Sequence, residues 1–333
     1  MPLGPQSPPA SLLTFDIEEH FQIEAARGVV PPCDWDRLPS RVEPNVDWLL
    51  EQLAAHHATA TFFVLGWVAR RRPRMVRRIA AAGHELACHG DAHDRLHRLD
   101  PARLALDLAA ARAAIEDQAQ SPLRGYRAPT FSLTRTTAWA VDALLEAGFT
   151  YDSSLQPIRH PQYGEPHAPS RPHRLVGPGG DAIDELPPLC LQLGALRLPV
   201  AGGGYFRLFP LRLMELGIRQ AHRENRPPVL YFHPWEFDPD QPRLPLPRPQ
   251  RFRTYVGMNH TRNRLQRILR RSPCTSIQSW LNRPQTRDSL KPDWPTFHLD
   301  GESAPTLNPR PTPALDRLQD AGEYDAPPSP QAA

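Results

Sequence analysis

The sequence is poor in cysteine and almost devoid of lysine. Its four cysteines, Cys33, Cys88, Cys190 and Cys274, are scattered and form no CxxC pair. This spacing argues against a disulfide framework or a cysteine-ligated zinc site, and it suits a reducing compartment. Lys291 is the only lysine, so arginine carries nearly all the positive charge. A net charge of +3 with this bias is weak support for nucleic-acid binding, and we expect no nucleic-acid partner.

Long hydrophobic runs and a secretory leader are also missing. No apolar stretch reaches the length that spans a bilayer. Residues 1–10 are rich in proline and serine and lack a basic region followed by an apolar run. We therefore expect a cytoplasmic protein without stable membrane insertion. No feature of the sequence indicates an oligomeric state.

Proline is abundant, with 41 residues concentrated in particular stretches, and 40% of the chain is hydrophobic. That hydrophobic fraction is enough to build a sizeable core. The composition predicts a short disordered arm over residues 1–10 and a globular domain over residues 11–281. A disordered, Pro-rich tail is expected over residues 282–333, because its composition cannot bury much apolar surface.

Strand and helix patterns alternate along the globular part. Apolar runs rich in β-branched and aromatic residues predict strands over residues 12–17, 59–65, 85–88, 123–126, 149–151 and 228–232. Helical spacing predicts intervening helices that include residues 40–56, 67–82 and 101–118, and residues 156–180 are expected to form a loop. This alternation predicts an α/β fold with a parallel sheet. With six or seven such units, we expect a distorted barrel of the (β/α)7 type rather than an open sheet.

Polar residues suited to catalysis or metal binding follow the carboxyl ends of the predicted strands. Because these ends converge at one rim of a parallel barrel, we expect the side chains to meet there. In strand order, they are Asp16, Glu18, Glu19 and His20, then His89, Asp91 and His93, then Arg127, then Asp152, and finally His233.

The pair His89 and His93 has the spacing of a metal-binding motif. Two imidazoles four residues apart on a helical turn can both reach one metal ion. A carboxylate from another strand would complete a facial triad with open positions. Taken alone, the pair is equally compatible with ordinary loop polar residues, and the acidic cluster is compatible with a helix N-terminus. His233 alone could be a core histidine, and Arg127 a structural ion-pair partner.

Taken together and in order, these segments resemble the polysaccharide deacetylase family, also called the NodB-like or carbohydrate esterase family 4 type. The resemblance covers about residues 12–281. Residues 201–207 and 233–239 further resemble the subgroup found with exosortase (PEP-CTERM) and exopolysaccharide gene clusters, so residues 200–281 would be the subgroup-specific part. The motifs that carry the resemblance are Thr14-Phe15-Asp16, His89/His93, Arg127-Ala128-Pro129, Tyr151-Asp152-Ser153 and Phe232-His233.

The resemblance implies a metal-dependent hydrolase that removes N-acetyl groups from a glycan. In that family pattern Asp16 is the catalytic base, Arg127 orients it and His233 is the general acid. His89 and His93 are metal ligands, and the metal is expected to be zinc, with cobalt and nickel as alternatives. Most of the family has a second aspartate directly after the base, whereas this chain has Ile17. Glu18 is the nearest substitute for that third ligand, and Glu19 is the other candidate.

Four aromatic residues are candidates for lining a groove for sugar rings: Tyr205, Phe206, Trp235 and Phe131. Core packing is an equally good interpretation of the first three. Two rival functions remain open. One is a carbon–nitrogen hydrolase of small amides or cyclic imides on the same fold, which could dispense with metal. The other is a glycan-binding protein that has lost catalysis.

Overall fold

The computed structural model describes residues 10–301 of the 333-residue chain. The strands are β1 (Ser11–Ile17), β2 (Thr61–Val64), β3 (Glu85–Cys88), β4 (Gly125–Tyr126), β5 (Tyr151–Asp152), β6 (His173–Val176), β7 (Ala182–Glu185), β8 (Cys190–Leu193), β9 (Leu196–Pro199), β10 (Val229–Phe232), β11 (Cys274–Thr275) and β12 (Thr296–His298). The α-helices are α1 (Val42–Ala55), α2 (Gly66–Arg71), α3 (Pro73–Ala81), α4 (Pro101–Ala119), α5 (Ala140–Glu146), α6 (Gly203–Leu208), α7 (Leu211–Arg223), α8 (Arg248–Tyr255), α9 (Thr261–Arg271) and α10 (Ile277–Leu281).

The predicted α/β fold is confirmed. One sheet of ten strands runs in the order β10-β1-β2-β3-β4-β5-β7-β6-β12, and β11 pairs with the start of β1 on the side opposite β10. All of its ladders are parallel except β6 with β7, and β8 and β9 form a separate hairpin. Parallel strands connected through helices bring their carboxyl ends to one edge of the sheet.

The predicted closure into a barrel is not found in the described residues 10–301. Strands β10 and β12 end the sheet, and no ladder joins them. The chain after β7 does curl back toward β10 through two isolated bridges, Pro188 with Val229 and Gly202 with Tyr231. The bridge at Pro188 cannot extend into a ladder, because proline has no N–H to donate.

The main core lies between the sheet and the helices. Side chains of a strand alternate between its two faces. In β1, Leu13, Phe15 and Ile17 therefore point into the main core, where they contact residues of α1 and other elements. The intervening Thr14 and Asp16 point to the other face, which leads to the candidate site.

Two local predictions need correction. The helix predicted over residues 67–82 is two helices, α2 and α3, separated at Arg72. Pro73 begins the second helix because it lacks the N–H that a continuous helix would need. The loop predicted over residues 156–180 contains β6.

The folded part also extends beyond the predicted boundary at residue 281. Residues 296–298 form β12, which pairs with β6 in parallel, and Leu299 is fully buried. The Lys291 ammonium binds the Asp184 carboxylate at 2.5 Å, and Trp294 stacks on Trp280. Residues 282–301 are therefore packed on the domain, whereas the remainder of the expected tail (302–333) and residues 1–9 of the expected arm lie outside the described residues. Within residues 10–301, no helix combines the length and apolar character needed to cross a bilayer.

Candidate active site

The carboxyl end of β1 supplies two acidic side chains to the same face. Asp16 and Glu18 are two residues apart, so the alternation of an extended chain directs both away from the core. Ile17 between them is fully buried in the core. The position that carries isoleucine thus faces the helices in this chain, and Glu18 is the next residue able to face the site.

Glu18, His89 and His93 form a cluster with the composition of a metal site. One ligating atom from each lies within 4.8 Å of the others, and all three residues are buried. The Glu18 Oε2 and His93 Nε2 atoms are 2.8 Å apart, and the two imidazole centroids are 5.3 Å apart. Among the described residues, this is the group of histidine, cysteine and acidic side chains that could hold a metal ion.

The hydrogen bonds and charges of this cluster fit a divalent cation. The buried Glu18 Oε2 has no aligned hydrogen-bond donor among the described residues, despite its closeness to His93. His89 Nδ1 is 2.8 Å from the backbone carbonyl of Arg127 and donates to it, which leaves Nε2 free as a ligand. Burial would raise the pKa of Glu18, but His93, His233 and His89 lower it to about 2. Burial lowers the pKa of His89 to about 4, so its ring is neutral at neutral pH.

The loop carrying both histidines is not helical. Residues 89–93 do not form the predicted helical turn, since Gly90 and His93 adopt left-handed backbone conformations with φ of 77° and 54°. The carboxylate of Asp107 in α4 accepts the backbone N–H of Asp91 at 3.0 Å. The helical-turn prediction is therefore wrong, but the irregular loop still brings the two rings to one carboxylate.

Glu19 turns away from the cluster. Its carboxylate accepts hydrogen bonds from the Ser40 hydroxyl and from the backbone N–H of Arg41, at 2.9 Å for the latter. Both oxygens of Glu19 are thus engaged at the start of α1. Of the two carboxylates left open by the sequence, the geometry favours Glu18 as the third ligand.

Asp16 is held by a fully buried arginine. The Arg127 side chain is 0% exposed, and its Nη1 donates to Asp16 Oδ1 and to the Thr14 hydroxyl, both at 2.8 Å. The same guanidinium binds the carbonyl and hydroxyl of Ser153 at 3.0 and 2.8 Å. Its plane also lies over the Phe63 ring, with 4.2 Å to the centroid. These contacts fix the orientation of Asp16 at the end of β1.

His233 faces the two carboxylates from β10. Its Nε2 lies 3.8 Å from Asp16 Oδ2 and 3.7 Å from Glu18 Oε1, and the side chain is 17% exposed. Its Nδ1 binds Glu236 Oε2 at 3.0 Å. Burial would lower the pKa of His233, but Glu236, Glu18 and Asp16 raise it to about 9. The ring is thus an imidazolium at neutral pH and can donate a proton from Nε2.

Glu236 is in turn bound by a buried arginine. Arg207 Nε donates to Glu236 Oε1 at 2.7 Å, and Glu236 is fully buried. Arg207 also donates to the carbonyls of Arg253 and Thr254 at the end of α8, with 2.9 Å to the former. Residues 201–207 and 233–239 thus meet in one ion pair behind His233.

The four predicted substrate-lining aromatics occupy different environments. Trp235 is buried, donates its indole N–H to Glu18 Oε1 at 2.9 Å and stacks on His233. Phe131 is buried and packs against Tyr231. Phe206 packs against Phe232 in the main core, so its predicted role as a groove residue is not supported. Tyr205 is partly exposed.

Sequence reasoning missed three contributors: Glu236, Ser153 and the indole of Trp235 as a hydrogen-bond donor. A signal existed for the first. Glu236 lies three residues after His233, with Pro234 between, and this spacing is typical of a side chain that returns to the start of a helical turn. Ser153 and Trp235 act through contacts with residues distant in the sequence, which a single sequence does not reveal.

Two known protein families match successive segments of this chain. Residues 5–151 match the family described as "Polysaccharide deacetylase". Residues 153–282 match a second family, described as a domain of unknown function (DUF3473). The segment that matches the polysaccharide deacetylase family thus includes Asp16, Glu18, His89, His93 and Arg127. His233 lies in the segment that matches DUF3473.

Two curated relatives are similar over short segments. A chitooligosaccharide deacetylase from Bradyrhizobium sp. (strain ANU 289) is 38% identical over 82 residues, which are 24% of this chain and 37% of the relative. A chitooligosaccharide deacetylase from Sinorhizobium fredii (strain NBRC 101917 / NGR234) is 48% identical over 48 residues, or 14% of this chain and 22% of the relative. The chain therefore spans well under half the length of the curated relatives that it matches.

The similarity to polysaccharide deacetylases thus lies in residues 5–151, which are less than half of the chain. A crystal structure from Mycobacterium smegmatis, provisionally described as a polysaccharide deacetylase, has the same fold. It superposes with a TM-score of 0.56 and 21% identity, covering 93% of this chain and 98% of that chain.

Proposed function

We propose that the chain is a metal-dependent deacetylase that removes acetyl groups from N-acetylhexosamine units of a glycan. The observation that carries this proposal is the convergence, at one edge of the sheet, of the Glu18–His89–His93 cluster with Asp16 and His233. A cation-binding cluster, a proton acceptor and a proton donor are the parts that hydrolysis of an unactivated amide needs.

Glu18, His89 and His93 would hold the divalent ion. When bound there, the ion would supply positive charge that polarises the acetamide carbonyl and acidifies a water molecule. A set of two imidazoles and one carboxylate accepts zinc, and cobalt and nickel are alternatives. We propose zinc as the resident ion.

Asp16 and His233 divide the proton transfers. Asp16, held by Arg127, accepts the proton of the attacking water. His233 donates a proton from Nε2 to the departing amine, while Glu236 on Nδ1 keeps the ring in the orientation and charge state for this step. The 3.8 Å between Asp16 Oδ2 and His233 Nε2 supports a shared reacting centre for the two groups.

A backbone N–H after Arg127 is proposed to assist the developing oxyanion. Thr130 and Phe131 both have left-handed φ, of 57° and 51°. The Phe131 N–H already donates to the Ala128 carbonyl at 3.0 Å. The N–H of Thr130 is therefore our candidate. Backbone held in this region for consecutive non-glycine residues is costly and is found most often at functional sites.

The substrate is proposed to be an exopolysaccharide or its precursor. Support comes from the polysaccharide deacetylase match and from the resemblance of residues 201–207 and 233–239 to the exosortase-associated subgroup. We place the catalytic unit in residues 11–281, with residues 200–281 as its subgroup-specific part.

The test combines metal analysis with acetate release. Wild type and His89→Ala are purified, their zinc, cobalt and nickel contents are measured, and acetate release from N-acetylglucosamine oligomers is followed. We expect near-stoichiometric metal and acetate release in the wild type, and loss of both in the variant. His97→Ala is the matched control, because this nearby histidine is not part of the cluster.

The other outcomes contradict the proposal in distinct ways. Amide hydrolysis without metal, on small cyclic imides alone, would identify the small-amide hydrolase. Glycan binding that is unchanged in Asp16→Asn, with no acetate released at any metal concentration, would identify a binding protein without catalysis.

A further inference from the structure

The indole of Trp235 contacts two members of the candidate site at once. Its Nε1–H donates to Glu18 Oε1 at 2.9 Å, and its ring stacks on the His233 imidazole with 5.3 Å between centroids and 24° between planes. Glu18 follows β1 and His233 follows β10, so the two residues are far apart in the sequence. One side chain thus bridges the proposed metal ligand and the proposed proton donor.

The indole hydrogen bond distinguishes the two oxygens of the Glu18 carboxylate. Oε1 accepts the Trp235 N–H, whereas Oε2 lies 2.8 Å from His93 Nε2 and has no aligned donor among residues 10–301. A buried carboxylate oxygen without a donor is costly unless a positive charge reaches it. The indole therefore holds the carboxylate with its open oxygen toward the imidazoles.

A glutamate in this position needs such a restraint. It has one more rotatable bond than an aspartate, so it loses more rotamer freedom when its carboxylate is held in one place. Ile17, which directly follows Asp16, packs into the core and offers no ligand atom. Glu18 therefore reaches the cluster from one residue further along the chain, and the Trp235 N–H is the hydrogen-bond donor that restrains it.

Trp235 is itself held firmly in place. It is 5% exposed and belongs to an apolar cluster that includes Phe21 and Leu244. Its backbone carbonyl accepts the Gln241 side-chain N–H at 2.7 Å, and the Arg207 guanidinium lies over its ring, 5.0 Å from the centroid. A side chain packed on this many sides can act as a rigid support for the groups that it contacts.

We propose that Trp235 is a positioning residue with two separate actions. Its N–H sets the Glu18 carboxylate for metal binding, and its flat face limits rotation of the His233 ring. The inference rests on the proposed metal-dependent function and adds to it the residue that couples the metal cluster to the proton donor. Because the two contacts use different parts of the indole, different substitutions can separate them.

The test compares the full-length wild type with three variants. Trp235→Phe keeps a flat ring beside His233 but removes the N–H, and Trp235→Leu removes both. Trp35→Phe is the matched control, because Trp35 is buried in the same apolar cluster and its indole N–H has no hydrogen-bond partner among residues 10–301. The zinc dissociation constant is measured by competition with a chelator, the visible absorption spectrum is recorded after loading with cobalt, and kcat is measured for acetate release from N-acetylglucosamine oligomers.

We expect Trp235→Phe to weaken zinc binding about 10- to 100-fold, as for other hydrogen bonds that orient a metal ligand, and to shift the cobalt absorption bands. In excess zinc it should regain most of the wild-type kcat, since a flat ring still faces His233. Trp235→Leu should show the same loss of affinity and a kcat that stays about tenfold low, because the His233 ring is no longer fixed. Trp35→Phe should match the wild type in zinc affinity and cobalt spectrum.

A measurement on the wild type applies even if the Trp235 variants do not fold. The indole N–H resonance of Trp235 should shift when zinc is added to the 15N-labelled protein, and that of Trp35 should shift less. A Trp235 resonance that does not move while zinc binds would contradict the role of its N–H.

The remaining outcomes separate the inference from its basis. Unchanged zinc affinity and cobalt spectrum in a folded Trp235→Phe would refute the role of the N–H and leave the metal site intact. Equal losses in Trp235→Phe and Trp35→Phe would show that the cluster needs only the volume of its indoles. Failure of the wild type to bind zinc or cobalt would refute the proposed metal site, and the inference with it.

Discussion

At the level of single residues, the site depends on which carboxylates remain free to bind a metal ion. Glu18 and Glu19 are adjacent and chemically equivalent, yet their surroundings differ. Glu18 has an oxygen without an aligned donor beside two imidazoles, and Glu19 has both oxygens occupied by Ser40 and Arg41. A carboxylate whose lone pairs already accept two hydrogen bonds must give them up before it can bind a cation.

This difference predicts opposite results for two conservative substitutions. Glu18→Gln should lower bound metal to a small fraction of the wild-type content and abolish acetate release, because it removes the negative ligand. Glu19→Gln should keep the metal and cost about 1–3 kcal/mol of unfolding free energy through weaker hydrogen bonds to Ser40 and Arg41. Metal analysis and urea unfolding of both proteins check this; metal loss in Glu19→Gln alone would reverse the assignment.

Glu236 is predicted to act through His233. Glu236→Gln keeps the size of the side chain but removes the charge that orients the imidazolium. We expect kcat to fall about 10- to 100-fold with little change in KM or metal content. Glu224→Gln, which alters the ion pair of the exposed Glu224 with the buried Arg226, is the control and should leave kcat unchanged. A parallel rise in KM with constant kcat would show that Glu236 only shapes the binding cleft.

At the level of elements, β5 and β7 place two acids directly opposite each other. Asp152 and Glu185 are register partners, and both are fully buried. Like charges at such positions destabilise a sheet unless a proton is shared. Burial is the main cause of the raised pKa of both groups, and for Glu185 the charge of Asp152 adds to it.

The sign of the pH effect on stability follows. A carboxyl whose pKa is raised in the folded state binds more protons there than in the unfolded chain. The folded state therefore loses stability as the pH rises from the ordinary pKa of the carboxyl toward the raised pKa. Glu185→Gln should therefore flatten the fall in unfolding free energy between about pH 5 and pH 8. Urea unfolding at both pH values measures this, with the exposed Glu51→Gln as control. An unchanged pH slope would mean that the pair does not share a proton.

The elements that the sequence predicts best are those with long, uniform patterns. Helix α4 begins where Asp100 and Pro101 predict, and the Asp100 side chain accepts the Arg103 N–H. Strands β6 to β9 are harder to predict from the sequence. Strand β6, for example, is a four-residue run within a stretch rich in proline and glycine. Its parallel partner β12 lies far along the chain, and no local pattern encodes that pairing.

The candidate site shows the same division. Asp16, His89, Arg127 and His233 were predictable because each lies at or just after the carboxyl end of a strand, and the parallel sheet brings these ends together. The local shape of the residue 89–93 loop was not, since it depends on Asp107 in the next helix. The spacing of His89 and His93 thus predicted correctly that their side chains are neighbours. It predicted the wrong backbone conformation for the loop that carries them.

At the level of the whole molecule, residues 282–301 belong to the folded unit although their composition suggests otherwise. Strand β12 extends the sheet at β6, and Leu299 is buried without exposure to solvent. Composition predicts poorly here because the segment packs on a surface supplied by the rest of the domain, so it needs little apolar area of its own.

Truncation tests this docking. A chain ending at residue 281 should be less stable than one ending at residue 301 by at least about 1.5–3 kcal/mol, the value of burying one leucine side chain. It also loses the Lys291–Asp184 ion pair and leaves Trp280 uncovered. Thermal unfolding of the two chains, with metal content as a check on the site, gives the comparison. Equal midpoints would show that residues 282–301 contribute nothing to the domain.

The buried pair of Arg207 and Glu236 has a consequence for protein engineering. One guanidinium supports both the carboxylate behind His233 and the final carbonyls of α8. Exchange of α8 with that of a relative would therefore disturb the contacts of Glu236 unless residues 202–207 and 233–238 were moved with it. A redesigned α8 should therefore keep the carbonyls of residues 253 and 254 in place to receive the Arg207 guanidinium.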